Sequence, residues 1–441
     1  MKTKANLLYN LESKPSTGQT LLYGLQWAIF IYSLNLLYPL VIGDLFGLSQ
    51  VETAALLQRS TFLVGLGSLL QIVFGHRLPL IEGVAALWFS IFILFAQTAS
   101  LLGLATSNLL RELAFGLILV GVIVFLLSYL GLLGWLQKLF TPIVTGCTLI
   151  LICLQVSGSF IKGMLGYEGS QINGRVALLS VGLAALVIFL SFKGNKLAKS
   201  FSVLIGMVIG WVLYNLLGLP IKASGQGAAL EQLIYIPQLF PWGTPVATSS
   251  MVITAVVAAI VLISNQVASI AAMKDTVLDE LPVDTGKRCG IINGLSNLLS
   301  GCFGGIGTTP LANSAGFVKL TGVGARMPFL IGSLIIMLIG VIWPLGQFFT
   351  MMPSSVAYAV AFVPYSQMIG IGLSNFTSIE LNQRNLLIIG LTLLTGVGLM
   401  FVPPTAYVNM PLILQTVISN GLLMGIILVL ILEHLVFRNL K

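Results

Sequence analysis

The chain has 441 residues, of which 57% are hydrophobic and 8% charged, with a mean hydropathy of +1.02. A soluble domain carries about 25% charged residues, so composition excludes an aqueous fold and points to an all-α polytopic membrane protein. The formal charge of +8 does not indicate a nucleic-acid partner, because basic residues in such a chain mark cytoplasmic loops and the surrounding partner is membrane lipid.

In chain order, residues 1–20 are polar, carry Lys2, Lys4 and Lys14, and read as a cytoplasmic tail with no cleavable signal peptide. Apolar runs then recur, many near the roughly 20 residues that cross a bilayer as a helix. Fourteen membrane-embedded segments are predicted. They begin near Leu21, Glu52, Glu82, Leu110, Phe140, Val176, Phe201, Thr248, Lys287, Thr308, Arg326, Ser355, Asn385 and Pro411, and the third and tenth are short and broken. Residues 218–247, with Pro220, Pro237 and Pro241, read as an extracellular linker. An even count puts both termini on one side, and both are basic (Lys2, Lys4, Arg438, Lys441). With that side cytoplasmic, most remaining Lys and Arg fall in inward loops, whereas outward loops keep only Arg111, Lys162, Arg175 and Lys222, with Arg59 near an outer edge.

Two stretches are close copies. Gly65-Leu66-Gly67-Ser68-Leu69-Leu70 runs to Phe74-Gly75, and Gly294-Leu295-Ser296-Asn297-Leu298-Leu299 runs to Phe303-Gly304. Each is followed by a broken piece, Pro79-Leu80-Ile81-Glu82-Gly83 and Pro310-Leu311-Ala312-Asn313-Ser314. The copies lie seven segments apart, and an odd offset places the two halves in opposite orientations. An inverted repeat interrupted at matching points by Pro, Gly and one polar side chain points to the binding site of a transporter.

Glu82 is the acid expected inside the membrane. A carboxylate at mid-depth costs about 3 kcal/mol or more unless it is paired, hydrated or protonated, which suits a proton-carrying group. The plainer alternative is that Glu82 caps a half-helix beginning near Val84. Asn313 is read as its repeat-mate, facing the same cavity, with helix–helix hydrogen bonding as the alternative. The polar cluster of segment eight adds Asn265 and Ser269, which share a helix face at i, i+4, and segment one adds Gln26 and Asn35. Amides there match the edge of a planar heterocycle. Trp27 and Trp88 are the two tryptophans placed to line the cavity. Cys147, Cys153, Cys289 and Cys302 read as packing residues, and the solitary His76 and His434 offer no metal centre.

These residues resemble the uracil/xanthine permeases, the nucleobase–cation symporter family also called nucleobase–ascorbate transporters, and within it a divergent purine/uracil branch. In the segment-ten motif, Gly316, Thr321 and Gly322 match, while Asn313-Ser314 replaces the leading acid or Gln and Asn. Thr141-Pro142-Ile143-Val144-Thr145-Gly146 also looks like the fifth-segment motif. The departures are Gln26-Trp27 where the family has Gln-His, Asn265 where it has a base-binding Glu, and Ser269 where uracil permeases have His. The resemblance implies fourteen segments in two inverted repeats of seven, with short strands in segments three and ten. It also implies a core (21–132 and 248–352) moving against a gate (133–217 and 353–437), and a homodimer through the gate.

The expected function is secondary transport of a nucleobase (uracil, xanthine or a related purine) across the cytoplasmic membrane, with proton symport and no cofactor. Main-chain groups of Gly83, Ala312 and Asn313 would meet the base, Glu82, Asn265, Ser269 and Gln26 would face it, and Glu82 would also carry the proton. The alternatives are a sulfate/anion-type inverted-repeat carrier and an uncoupled nucleobase facilitator. An enzyme needs a nucleophile–base pair or metal cluster, and the sequence suggests neither.

Overall fold

The computed structural model describes residues 7–103, 105–167, 171–220, 233–277, 281–407, 410 and 418–438. Of the charges used above, Lys2, Lys4, Lys222 and Lys441 lie outside the described residues, as does the start of segment fourteen at Pro411.

The first half holds α1 (Thr17–Asn35), α2 (Leu37–Phe46), α3 (Gln50–Val73), β1 (Glu82–Val84), α4 (Ala86–Leu102), α5 (Thr106–Tyr129), α6 (Leu133–Gln137), α7 (Pro142–Met164), α8 (Gly174–Lys193), α9 (Lys196–Ser200) and α10 (Ser202–Leu216). The second holds α11 (Ser249–Val277), α12 (Thr285–Cys302), β2 (Thr308–Pro310), α13 (Asn313–Thr321), α14 (Arg326–Ile339), α15 (Trp343–Thr350), α16 (Ser354–Phe376), α17 (Gln383–Met400) and α18 (Gly421–Ile431), the last running on as a π-turn over Leu432–Val436. Among the described residues, eight helices are long and apolar enough to cross a membrane, α1 and α2 counting as one stretch, Thr17–Phe46.

The helix starts follow local chemistry. Ser16 with Gln19, and Ser49 with Glu52, form reciprocal capping boxes at α1 and α3. Thr141 caps α7 with Pro142 in its first turn, and Asn173, Asn195, Asn382 and Asn420 cap α8, α9, α17 and α18. Each cap satisfies an amide that hydrocarbon could not.

Helix packing falls into two groups. In one, α14 packs on α1 and α3, while α12 packs on α5 and α3. Here α5 and α12 meet backbone to backbone, because a side chain on Gly121 or Gly294 would run into the main chain of the facing helix. In the other group, α7 packs on α16, α17 and α18, and α8 on α10 and α16. The groups touch through α4–α7 and α2–α16.

The broken segments do form strands, and these pair antiparallel as Glu82↔Pro310, Gly83↔Thr309 and Val84↔Thr308. Both flanking segments outside the helices are docked. Tyr9 donates to the carbonyl of Gly322 and accepts from the amide of Gly324, and Leu11 is buried, so residues 9–12 of the tail lie against the chain between α13 and α14. From the linker, Tyr235 bonds Val341, Phe240 bonds Cys302, and Arg111 of α5 holds Thr244.

Candidate functional site at the strand crossing

Gly75, Pro79 and Gly83 interrupt the helical pattern after α3, and Gly304, Gly305, Gly307 and Pro310 do the same after α12. The chain therefore enters each strand as extended backbone buried among helices, where its polar groups must find partners in the protein. The ladder supplies most of them. It extends beyond the strands through Ala85 N–H to the Gly307 carbonyl (2.9 Å) and Leu311 N–H to the Ile81 carbonyl (2.9 Å). Side chains close the rest: Ile81 N–H donates to Ser314 Oγ, Glu82 N–H to Ser68 Oγ and Val84 N–H to Asn35 Oδ1, each at 3.0 Å. Ser269 Oγ donates to the Pro310 carbonyl at 2.7 Å, fixing α11 against β2.

Glu82 is fully buried. Its Oε2 accepts from Gln71 Nε2 (2.8 Å), and its Oε1 accepts from Asn293 Nδ2 (2.5 Å) and Thr308 Oγ1 (3.1 Å). The surrounding amides are themselves fixed. Asn293 Nδ2 and Asn297 Nδ2 both donate to the Thr308 carbonyl (3.0 and 2.9 Å), Gln71 Nε2 donates to the Cys289 carbonyl, and Trp88 Nε1 donates to Asn297 Oδ1. The acid is thus held by neutral donors from α3, α12 and β2, and Asn293 Oδ1 is left buried without a partner. A carboxylate can accept from the Asn293 amide. A carboxylic acid could instead donate to Asn293 Oδ1 after that amide turns over, so the pocket has a bonding pattern for either protonation state.

Several expectations need correction. Glu82 does not face a cavity in this structure. It also caps no helix: it lies on β1, four residues before α4 begins at Ala86, with its carboxyl turned onto α3, α12 and β2. Asn313 is not at the equivalent position, since it opens α13 as Ala86 opens α4. The echo of Pro79 in Pro310 misled because the link from helix to strand is longer in the first half (74–81) than in the second (303–307). Trp88 is buried and tied to Asn297, and Trp27 is buried among Phe30, Phe317 and Phe329, so neither lines a cavity.

The other candidates gather around the crossing. Gly83 pairs with Thr309, and Ala312 caps α13. Ala312 and Asn313 are exposed, while Asn265 is half-buried one turn before Ser269 on the same face. Gln26 is half-buried, and α1 reaches the strand through Asn35 instead. Sequence reasoning missed Gln71, Asn293 and Asn297 as partners of the acid. The available signal was amides at i, i+4 on one face of α12 in an apolar setting. It also missed Glu433, a second buried acid, paired with Arg384 at 3.0 Å.

The profile described as "Permease family", for xanthine/uracil permeases, matches residues 18–405. The chain belongs to this family. It is therefore an integral membrane transport protein and not an enzyme. It is 34% identical to the Bacillus subtilis protein named "Putative purine permease YwdJ", covering 91% of this chain and 92% of that one. It is 27% identical to a Bacillus subtilis xanthine permease (92% and 91% covered) and 26% identical to the Escherichia coli uric acid transporter UacT (93% and 84%). Among solved structures, the transmembrane domain of the cyanobacterial bicarbonate transporter BicA superposes with a TM-score of 0.63 at 15% identity, covering 96% and 99% of the two chains. SLC26A9 gives 0.64 at 16% identity over 95% of this chain and 65% of that one. These two likenesses concern the fold alone.

Proposed function

We propose that the chain carries a nucleobase, a purine such as xanthine or else uracil, across the cytoplasmic membrane as a proton symporter working by alternating access. The observation that carries this is the antiparallel β1–β2 pair from which α4 and α13 both start, with Ala312 and Asn313 exposed beside it. Two helix N-termini converging on unwound backbone at mid-membrane offer fixed amide donors to a polar solute. The purine permeases and uric acid transporter among its relatives support a base as that solute. Gly83, Ala312 and Asn313 would meet the base through the main chain, with Asn265, Ser269 and Gln26 around it.

On this reading α1 with α2, α3, β1 with α4, and their successors form fourteen segments in two inverted sets of seven, with both termini cytoplasmic. Residues 21–132 and 248–352 form a core that moves against a gate of 133–217 and 353–437, and the gate also carries a homodimer contact. Glu82 is the coupling group. Its role is to switch the bonding of the strand crossing rather than to touch the base, because its carboxyl is turned onto Asn293, Thr308 and Gln71. An uncoupled facilitator is the rival reading.

Uptake of labelled xanthine and uracil into vesicles tests both steps. Wild type should accumulate base when the outside is acidified, and Glu82→Gln should lose the dependence on the pH gradient while still equilibrating base. A Glu82→Gln variant that keeps the wild-type dependence sinks the coupling role. Failure of wild type to move any base sinks the nucleobase reading.

A further inference from the structure

A cavity of about 2060 Å³ opens between the ends of α2 and α4 on one side and α7, α8, α10 and α16 on the other. None of the strand-crossing residues lines it. Its polar wall includes Asp44, Gln97, Gln155, Ser159, Lys162 and Tyr358. Beneath it the route inward is shut by aromatic rings, with Phe160 5.0 Å from Tyr365 and Phe89 5.7 Å from Tyr365 between centroids.

The α4–α7 seam runs from this cavity toward the crossing, and its register can be read from two hydrogen bonds. Gln97 Nε2 donates to Ser159 Oγ (2.9 Å), and Ser90 Oγ donates to the Ile152 carbonyl (3.3 Å). Both join residues 62 apart, so the two helices run parallel in constant register. Carried one turn inward, that register sets Thr148 level with Ala86, the first residue of α4 at the strand crossing. Thr148, Ile152, Gln155 and Ser159 fall on one face of α7 at spacings of four, three and four. On that face Thr148 Oγ1 and Gln155 Oε1 have no partner, although the residues are 3% and 8% exposed. Each such group is costly to bury unless something bonds it. Two unpaired groups on the seam between the helix groups, one at the cavity end and one at the crossing end, mark a face that a polar solute completes.

We infer that the α4–α7 seam is the route between cavity and crossing, and that Gln97, Gln155 and Ser159 form a waiting subsite for a flat ring with an N–H/C=O edge. Gln155 Oε1 accepts a ring N–H, and the Gln97–Ser159 pair opens to donate to a ring carbonyl. Thr148 then takes up the ring as the aromatic rings part. The identity of the ring rests on the nucleobase reading above; the route does not.

The test uses the full-length protein in cells, with the four native cysteines replaced and Gln155→Cys or Ser159→Cys introduced. Val181→Cys, on the outer face of α8 and 56% exposed, is the membrane-facing control. A membrane-impermeant thiol reagent applied outside should label both seam positions roughly tenfold faster than the control, since reaction needs a wet, ionisable thiol. Saturating xanthine should slow that labelling in variants that still take up xanthine. Labelling no faster than at Val181→Cys overturns the route. Labelling that xanthine leaves unchanged in an uptake-competent variant overturns the subsite. If the wild-type protein takes up no purine, the nucleobase reading fails, while labelling rates still decide the route.

Discussion

Replacing Asn293 with Leu keeps the branching at Cγ while removing both hydrogen bonds from its amide nitrogen, to Glu82 Oε1 (2.5 Å) and to the Thr308 carbonyl (3.0 Å). Neither acceptor is stripped bare. Oε1 keeps Thr308 Oγ1, and the Thr308 carbonyl keeps Asn297. The cost is therefore that of two lost bonds and not of two orphaned groups. Buried side-chain bonds between membrane helices average about 0.6 kcal/mol and reach about 1.7, and a bond to an ionised acid is worth about 1.5–3. Deleting Asn293 Oδ1, which has no partner, offsets part of this. The net expectation is a loss of about 2 kcal/mol, most of it through Glu82. Unfolding in mixed micelles, titrated with a denaturing detergent, measures it. The decisive comparison is a double-mutant cycle with Glu82→Leu, in which the coupling energy should be about 1.5–2 kcal/mol. If Asn293→Leu costs the same whether or not Glu82 is present, Asn293 is not holding the acid and the account of the site is wrong.

A methyl group on Gly307 would overlap the Trp88 indole, so Gly307→Ala should destabilise by about 1–3 kcal/mol through overpacking. Gly316→Ala on α13 has open space and should be neutral or slightly stabilising, and equal melting shifts for the two would refute the packing argument. The Arg384 side chain is 8% exposed, pairs with Glu433 and bonds the carbonyls of Glu433 and Phe437. Arg384→Met should therefore cost about 3–5 kcal/mol by stranding a buried charge, with much of that recovered in Arg384→Met/Glu433→Leu. Thermal inactivation in detergent reads both, and a single variant as stable as the double would count against a buried ion pair.

The breaks in segments three and ten were legible because Pro79, Gly83, Gly304, Gly305 and Pro310 forbid a continuous helix there whatever surrounds them. The strands were legible only through family resemblance, since three residues carry no usable period. Glu82 stood out as an acid in an apolar run. Its partners did not: Asn293 and Thr308 lie 211 and 226 residues away in sequence and meet it only after the two halves pack, and Gln71, 11 residues back, is brought to it by the break between α3 and β1. Periodicity also failed for Glu433. A charge close to the C-terminus reads as a solvated end, whereas Arg384 at the start of α17 draws it inside. The docking of the tail was not legible for a related reason. Its polar composition says nothing of the β-bridge that Tyr9 makes with Val323.

The two halves differ in chemistry at the place where they touch. The first supplies the acid and Gln71; the second supplies Asn293, Thr308 and, behind them, Asn297. Each strand is therefore held partly by a side chain from the other half, and Glu82 is the joint. This bears on coupling. A carboxylate binds all three donors at once, whereas a carboxylic acid must spend one oxygen on a proton and find an acceptor. Asn293 Oδ1 can be that acceptor only if the amide turns over and gives up its bond to the Thr308 carbonyl in β2. Proton arrival would thereby loosen β2, which leads into α13 and the exposed Asn313 three residues on. On the proposed reading, a group that never touches the solute can in this way change the backbone proposed to meet it, so an acid sealed from the cavity can still serve coupling.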